Sequence, residues 1–184
     1  MKLLLTTSRK TSLRVRQFIK EFSYLFPKSY IQRLNRGKAS LSELFQQSLA
    51  RYDRILLVTN KQGNPNRIIG YYKNLDEFFW CFEFKIRSVK LSHELNVQQS
   101  SNPDKTVISF ENFNTDLEHV LTFFFEPFFV EDFEKDNLST INLIFEHKEV
   151  GFQIYPLSQE DHKLSPEIII DEIIIKDPDK SGDF

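Results

Sequence analysis

Short strand-like runs alternate with amphipathic segments along the first 75 residues, and this order constrains the fold more than any other feature. Apolar runs span Leu3 to Thr7 and Arg54 to Thr59, and a second short strand is predicted at about Ser29 to Leu34. The two segments between them place apolar residues at helical spacing. The order strand, helix, strand, helix, strand is typical of right-handed crossovers between parallel strands. The sequence therefore predicts an α/β fold with helices packed on a sheet.

Each amphipathic segment carries a signal for the residue at which its helix begins. Thr11 or Ser12 can cap the first helix, which Pro27 ends. In the second, Ser40 and Glu43 form a capping-box pattern, in which each side chain can accept a hydrogen bond from the other residue's backbone N–H group. The apolar faces predicted to pack on the sheet are Val15, Phe18, Ile19, Phe22, Leu25 and Phe26 in the first helix, and Leu41, Leu44, Phe45, Leu49 and Tyr52 in the second.

The residues after the third strand predict a hairpin. Asn60 to Arg67 is dense in Asn, Gly and Pro, which favour turns, and apolar residues follow from Ile68 to Tyr72. We therefore expect a loop over 60–67 that joins two antiparallel strands.

The length and the cysteine count limit the classes of protein to consider. At 184 residues, the chain can form one large domain or two small ones and can bury a core without a disulfide. Its single cysteine, Cys81, excludes an intramolecular disulfide and a cysteine-based zinc finger. No histidine lies near Cys81 in sequence to activate its thiol, and the four histidines lack metal-ligand spacing. We therefore expect no metal and no cofactor.

The apolar segments are too short for export or for membrane insertion. The N-terminal run from Leu3 to Leu5 is shorter than the apolar region of a signal peptide. Nothing in the chain approaches the roughly 18 apolar residues needed to span a bilayer. The expectation is a soluble, cytoplasmic protein, a monomer, with no membrane partner.

The net charge of −2 hides a strong asymmetry along the chain. Residues 1–75, the basic half, hold 15 Lys and Arg against 3 Asp and Glu, a net charge of +12. Residues 76–184 hold 9 basic and 23 acidic residues, a net charge of −14, and we name residues 76–176 the acidic half. Such a division suggests a polyanionic partner for the basic half. The alternative is that two oppositely charged faces attract each other across an interface within the protein.

Most cations of the basic half fall in or beside three loops that follow the three predicted strands. In a parallel sheet, the loops leaving the carboxyl ends of the strands open on one edge, where ligands bind. We therefore expect the three loops to converge on one surface, which we name the basic rim. Its cations are Arg9, Lys10, Arg14 and Arg16 from the first loop and the helix turn after it, Arg36 and Lys38 from the second, and Lys61 and Arg67 from the third.

The second loop, Asn35 to Ser40, adds features that suit an anion. Gly37 lets a ligand approach the backbone closely, and the helix that begins at Ser40 presents free N–H groups and a positive dipole end. Asn35 and Asn64 can reach sugars or base edges. The alternative for the two cations of this loop is ordinary solvent exposure.

The Gly37 and Lys38 pair does not belong to a P-loop. That motif needs Gly where Gln32 stands and Ser or Thr where Ala39 stands. We therefore reject a nucleoside triphosphate as the ligand, since charges spread over three loops match a nucleic-acid backbone better.

Three segments in order resemble the signatures of a known family. They are Thr7 to Phe18, Asn35 to Leu41 and Gly63 to Ile68, and they resemble the Brix-domain family of ribosome-biogenesis proteins. In particular, the chain resembles the short archaeal members that consist of the domain alone. Thr11 stands where the family often has proline, and Ala39 where it often has methionine. Neither departure removes a group that contacts phosphate.

The resemblance implies a fold and a function. The fold is a single domain over 1–184, two-lobed, with mixed sheets, helices packed on them, and each half similar to the anticodon-binding domain of class II aminoacyl-tRNA synthetases. The function is binding of rRNA or pre-rRNA during assembly of a ribosomal subunit. The residues assigned to RNA binding are Arg9, Lys10, Arg14, Arg16, Asn35, Arg36, Gly37, Lys38, Ser40, Lys61, Asn64 and Arg67.

The acidic half reads as strands around one helix. The first predicted element is a strand from Phe79 to Leu91, with Trp80, Phe82, Phe84 and Ile86 on one face and a bulge or an end beyond Arg87. A polar connection from His93 to Asp104 leads to a strand from Val107 to Phe110 and to a helix that begins at Thr115 or Asp116 and runs toward Pro127. The remaining predicted elements are strands from Ile141 to Phe145 and from Val150 to Tyr155 with a tight turn at Lys148 and Glu149, a last strand from Glu167 to Lys176, and a disordered tail over 177–184. The aromatic run of Phe123, Phe124, Phe125, Phe128 and Phe129 predicts core on two sides of that helix, with a partner-binding patch as the alternative.

Two functions remain open, and neither is enzymatic. The first is a non-catalytic RNA-binding factor whose acidic half faces away from RNA or toward ribosomal or assembly proteins. The second is a protein adaptor of ribosome assembly with little direct RNA affinity. Acidic residues are so numerous that close pairs are expected by chance, and no pair indicates catalysis.

Overall fold

The computed structural model describes residues 1–97, 99, 101–125 and 139–176. The strands are β1 (Leu3–Thr7), β2 (Ile31–Leu34), β3 (Arg54–Lys61), β4 (Asn64–Asn74), β5 (Glu77–Lys90), β6 (Lys105–Glu111), β7 (Thr140–His147), β8 (Phe152–Ser158) and β9 (Glu167–Ile175). The helices are α1 (Leu13–Ser23), α2 (Leu41–Ser48), α3 (Ser92–Leu95) and α4 (Thr115–Phe125). None of these helices combines the length and the apolarity needed to cross a bilayer.

The nine strands form one continuous mixed sheet in the order β2-β1-β3-β4-β5-β9-β8-β7-β6. β1 pairs in parallel with both β2 and β3, which confirms the crossovers predicted from the alternating elements. β3, β4 and β5 continue as antiparallel neighbours, so the predicted hairpin is also confirmed. Antiparallel pairing of β4 with β5 joins the basic half to the acidic half. Within the acidic half, β5 pairs antiparallel with β9, and the outer strands β6 and β7 are again parallel.

The helices divide between the two faces of the sheet. Side chains alternate along a strand, and β1 sends Leu3 and Leu5 to one face and Leu4 to the other. The first face carries α1 and α4, whose apolar residues share one core with strands of both halves. On the second face, α2 packs Leu44 against Leu4 and Ile55. A two-sided arrangement of this kind leaves the strand ends open for a binding surface.

Helix α1 begins where the sequence predicts and ends earlier. Its cap is Ser12, because the Val15 N–H donates to Ser12 Oγ at 3.1 Å. All six residues of the predicted apolar face are buried. The helix stops at Ser23, however, and Leu25 and Phe26 reach the core from the turn beyond it. A tight turn, with the Leu25 N–H donating to Phe22 O at 3.2 Å, replaces the last predicted helical turn.

Two predicted loops are partly regular structure. The predicted loop over 60–67 is a turn of only two residues, Gln62 and Gly63, with φ of +50° and +84°. Left-handed residues at both central positions match the twist of the paired strands, so β3 and β4 continue almost to the turn. The polar connection after β5 also differs, because it begins with the one-turn helix α3.

The predicted alternation along β5 is wrong near its start. The register with β4 shifts between Gly70, which lies opposite Phe82, and Tyr71, which lies opposite Trp80. Cys81 therefore forms a bulge, and both Cys81 and Phe82 are buried in the core. Trp80 lies on the other face of the sheet. A second irregularity is present, but it lies before the position predicted beyond Arg87, because the register with β9 shifts between Lys85 and Ile86 and again between Ile86 and Ser88. The strand does not end there and continues to Lys90.

The elements of the acidic half follow the prediction closely. Helix α4 begins at Thr115, but the cap is Asn114, whose Oδ1 accepts from the Asp116 N–H at 2.7 Å. Phe125 stacks on Phe26 at 6.1 Å and lies 6.0 Å from Phe145 between ring centroids. Phe124 and Phe125 are buried, and Phe123 packs partly buried against the same core, so these three rings of the aromatic run belong to the core. The predictions for Pro127, Phe128, Phe129 and the tail over 177–184 lie outside the described residues.

Candidate nucleic-acid interface

The three predicted loops lie together at one edge of the sheet. In the parallel register, Thr6 lies opposite Leu34 and Thr7 opposite Val58, so the carboxyl ends of β1, β2 and β3 face the same way. Each strand leads into one of the loops, since residues 8–12 follow β1, 35–40 follow β2 and the turn at 62–63 follows β3. The sheet thus brings together the loops of the basic rim.

One backbone oxygen holds the first two loops together. Arg9 Nε donates to Ala39 O at 3.2 Å, and Arg36 Nε donates to the same oxygen at 2.8 Å. The turn around Gly37, with φ of +62°, makes this possible by presenting the Ala39 carbonyl to both guanidinium groups. The two cations therefore lie side by side with their remaining N–H donors available to a ligand.

The electrostatics of the basic rim favour an anion. Partial burial, and after it the nearby Arg9 cation, lower the pKa of Arg36 from its ordinary value. Within the described part of the chain, no carboxylate forms an ion pair with Arg9, Arg36 or Lys38. Two adjacent cations without a counterion are stabilised by any anion that reaches them. Phosphate oxygens match the planar N–H donors of arginine.

The third loop is attached to the first by two hydrogen bonds. Asn60 Nδ2 donates to Lys10 O at 3.0 Å, and Ser12 Oγ donates to Gly63 O at 2.5 Å. Lys10 adopts a left-handed backbone with φ of +54°, which is uncommon for lysine and turns its carbonyl toward β3. Lys61 and Asn64, at the two strand ends beside the turn, are exposed next to this junction.

The start of α2 is less open to an anion than the sequence predicts. Ser40 and Glu43 form the capping box, in which the Glu43 N–H donates to Ser40 Oγ at 3.1 Å and the Ser40 N–H donates to Glu43 Oε2 at 2.6 Å. These hydrogen bonds from Ser40 lower the pKa of Glu43, so its carboxylate stays charged. The Glu43 carboxylate therefore already occupies the N-terminus of α2, and the cations of the basic rim provide most of the attraction for an anionic ligand.

Two of the predicted site residues are engaged in ion pairs. Arg14 Nη2 donates to Val89 O and to Glu94, each at 2.9 Å, which places this side chain beside α3 and away from Arg9 and Arg36. Arg67 forms an ion pair with Glu83 at 3.1 Å on the sheet face that carries α2. Sequence spacing predicted all eight cations in one group, but these two have partners on distant parts of the chain.

A groove continues the basic rim along the edge of the sheet. It lies between α1 and the edge strand β2, and we name it the α1–β2 groove. Its lining includes Arg16, Tyr24, Lys28, Ile31, Arg33 and Asn35. Sequence reasoning named Arg16 and Asn35 but missed Tyr24, Lys28 and Arg33. The spacing of Lys20 and Tyr24, four residues apart on one helix face, was the signal available.

Comparison with known proteins decides the family. A protein of Methanococcus maripaludis named "Probable Brix domain-containing ribosomal biogenesis protein" is 30% identical over 142 residues, which cover 76% of this chain and 77% of that protein. This chain belongs to the Brix-domain family. A Brix-domain relative of the same name from Sulfurisphaera tokodaii is 32% identical over 101 residues, or 54% of this chain and 55% of that protein.

A solved structure agrees with the Brix-domain assignment at the level of the fold. The crystal structure of a probable ribosomal biogenesis protein from Aeropyrum pernix superposes with a TM-score of 0.72 at 23% identity. The superposition covers 93% of this Brix-domain chain and 96% of that one. No family model matches the sequence.

Proposed function

We propose that this Brix-domain chain is a non-catalytic factor of ribosome assembly that binds rRNA or pre-rRNA through the basic rim. The observation that carries the proposal is the pair of Arg9 and Arg36, held on the Ala39 carbonyl without a carboxylate partner in the described part of the chain. Lys10, Lys38 and Lys61 belong to the same three loops, and Arg16 lies in the first turn of α1. Relatives carrying the name ribosomal biogenesis protein support the choice of RNA among polyanions.

The proposal also covers the finer expectations about the molecule. The cations of the rim bind consecutive phosphates, and Asn35, Gly37, Ser40 and Asn64 lie close enough to the backbone or the sugars to position them. Arg14 and Arg67, which were predicted to bind RNA, are left out of the proposed phosphate contacts, because their charges are paired with Glu94 and Glu83. The protein acts as a cytoplasmic monomer of a single two-lobed domain, each half built like the anticodon-binding domain of class II aminoacyl-tRNA synthetases.

The test is a charge-removing double variant of the second loop. Arg36→Ala with Lys38→Ala removes two cations that lack ion-pair partners among the described residues. We expect weaker binding to rRNA fragments at moderate salt, with the slope of log affinity against log salt smaller by about 0.7 to 0.9 for each lost phosphate contact. Fluorescence anisotropy across a salt series measures both quantities.

A matched control is available on β5. Lys85 and Arg87 are about as exposed, but each forms an ion pair with an acidic residue of β9. Lys85→Ala with Arg87→Ala changes the net charge by the same amount, and we expect near-normal RNA affinity. Equal affinities of both double variants and the parent protein would exclude the basic rim as the RNA site.

One observation favours the adaptor as a second candidate. Glu111 of β6 lies directly opposite Glu146 of β7, although like charges in register destabilise a sheet. Burial, and after it these two carboxylates, raise the pKa of Tyr155 to about 12 on the same face. Lys148 forms an ion pair with Glu146, whereas Glu111 has no ion pair within the described residues. A basic ribosomal or assembly protein would supply the counter-charge at Glu111. The adaptor role alone predicts RNA affinity lost at physiological salt and co-purification of basic proteins that survives nuclease treatment.

A further inference from the structure

The α1–β2 groove has the size and position of a second binding surface. Its cavity volume is about 730 Å³, within the range of roughly 300 to 1,000 Å³ that is typical of ligand sites. β2 is an edge strand of the sheet, so no further strand lies beside the groove on that side. At one end Asn35 belongs both to the groove and to the second loop of the basic rim. A chain that leaves the rim can therefore enter the groove directly.

The charge of the groove is of one sign. Arg16, Lys28 and Arg33 line it, and no carboxylate is among the described residues of its lining. None of the three cations forms an ion pair within the described residues. The hydrogen bond recorded for Arg16, from Nε to Ser12 O, is long at 3.5 Å. The groove thus offers three cationic groups to an anionic chain.

An aromatic ring lies among these cations. Tyr24 follows the last turn of α1 and is half-buried beside the groove. Lys20 Nζ and Arg33 Cζ each lie 5.9 Å from the centroid of its ring. Aromatic faces accept nucleic-acid bases by stacking, and neighbouring cations then pair with the phosphates on either side. Cations interleaved with an aromatic ring are typical of surfaces that bind single strands.

We propose that the α1–β2 groove binds a single-stranded RNA segment that adjoins the RNA held by the basic rim. One unpaired base stacks on Tyr24, and Arg16, Lys28 and Arg33 contact the phosphates on either side. The base has to be unpaired because the faces of paired bases are covered by their neighbours in a helix. This inference rests on the proposed function, and it adds the structural class of the RNA: a stem with a single-stranded extension.

The test compares two labelled RNAs with the full chain at about 150 mM salt, the range where phosphate contacts are already weakened. One RNA is a blunt stem-loop, and the other is the same stem-loop with a single-stranded extension. We expect the parent protein to bind the extended RNA more tightly. Tyr24→Ala should lose about 5- to 150-fold in affinity for the extended RNA, the range of one base stacked on an aromatic ring, and nothing for the blunt one. Tyr24→Phe keeps the ring and should retain the gain.

A second variant avoids any effect on the end of α1. Arg33 is exposed on β2, and Arg33→Ala should lower the salt slope by about 0.7 for the extended RNA alone.

If the parent protein binds the blunt RNA and the extension adds no affinity, the groove proposal fails and the basic rim remains the proposed RNA site. If Tyr24→Ala weakens both RNAs equally, the groove proposal fails as well. If the parent protein binds neither RNA, the proposed function fails first. Displacement of the extension by an acidic peptide that leaves the stem bound would assign the groove to a protein partner and overturn the proposal.

Discussion

Arg9 and Arg36 show how a folded chain can hold two like charges close together. Each guanidinium uses its Nε to donate to Ala39 O, so the carbonyl dipole offsets part of the repulsion. The pKa of Arg36 is lowered by burial and by Arg9, but an arginine stays protonated throughout the physiological range. The repulsion is therefore relieved by an anion and not by loss of a proton.

Cys81 gives a prediction about reactivity. Burial raises the pKa of its thiol from 9.0 to about 12, and the residue is 0% exposed. We expect the folded protein to react slowly with a thiol reagent at pH 8, at a rate set by opening of the structure, because the thiolate is the reactive form. The rate of modification with and without denaturant checks this. No other thiol in the chain contributes to the signal.

The same pKa shift fixes the sign of a pH effect on stability. The folded state disfavours the Cys81 thiolate, so the unfolded state loses its proton first as the pH rises above 9.0. This group should therefore lower the free energy of unfolding between pH 9.0 and about 12, and Cys81→Ala should remove that part of the decline. Immediate stoichiometric labelling of the folded protein at pH 8 would contradict both expectations.

The capping box of α2 gives a prediction at the scale of one element. Ser40→Ala removes the acceptor for the Glu43 N–H, and we expect a loss of about 1 kcal/mol in the free energy of unfolding. Denaturant titration measures this loss. The pKa of Glu43 is lowered in the fold, so its contribution is present above its ordinary value of 4.5 and is lost as the pH falls through the folded value.

A control separates the cap from the charge. Glu43→Gln keeps an acceptor for the Ser40 N–H and should abolish the acid-side loss while retaining most of the stability near pH 7. If Ser40→Ala has no effect on stability, the helix start is held by its packing on β1 and β3 and not by the capping box.

Local sequence patterns predicted the helices and strands of the basic half. They failed where the local structure depends on residues that are distant in sequence. The face of α1 and the capping box of α2 follow from spacing within a few residues. The bulge at Cys81 does not, because it depends on the strand partner. A Cβ atom at Gly70 would lie 2.4 Å from the ring of Phe82, so Phe82 packs over the bare backbone of β4. Neither the sequence of β4 nor that of β5 alone predicts that Gly70 pairs with Phe82.

The candidate site was predictable to a similar extent. Convergence of three loops follows from parallel strands, and the sequence predicted it. The separation of Arg14 from the other cations does not follow, because Glu94 is 80 residues away along the chain. Tyr24 and Arg33 were missed for the same reason, since only the packing of α1 beside β2 brings them together.

Several polar contacts join the halves on the face of α1. Buried Glu21 accepts from the Ser92 N–H at 2.9 Å and from Ser92 Oγ at 3.0 Å. Thr106 Oγ1 donates to Leu25 O at 2.6 Å, where β6 meets the turn after α1. With the shared apolar core and the pairing of β4 with β5, these contacts favour unfolding of both halves in one transition.

The ion pair of Arg14 and Glu94 gives a prediction at the scale of the whole molecule. A double-mutant cycle with Arg14→Ala and Glu94→Gln should give a coupling energy of about 0.2 to 1 kcal/mol, the range of partly exposed pairs. Urea unfolding of the four proteins measures it. Arg14→Ala should also keep near-normal RNA affinity, because its charge is already paired. A loss of RNA affinity as large as that of Arg36→Ala would show that Arg14 binds RNA together with the other cations of the basic rim.

The strand order also separates charge across the molecule. β2, β1, β3 and β4 belong to the basic half and occupy one side of β5, while β9, β8, β7 and β6 of the acidic half occupy the other. Eight strand spacings of about 4.8 Å put the two edges on the order of 38 Å apart. The protein therefore carries a large permanent electric dipole. Such a dipole turns the basic end toward a polyanion before contact, so association with RNA should be fast at low ionic strength and slow steeply as salt is added.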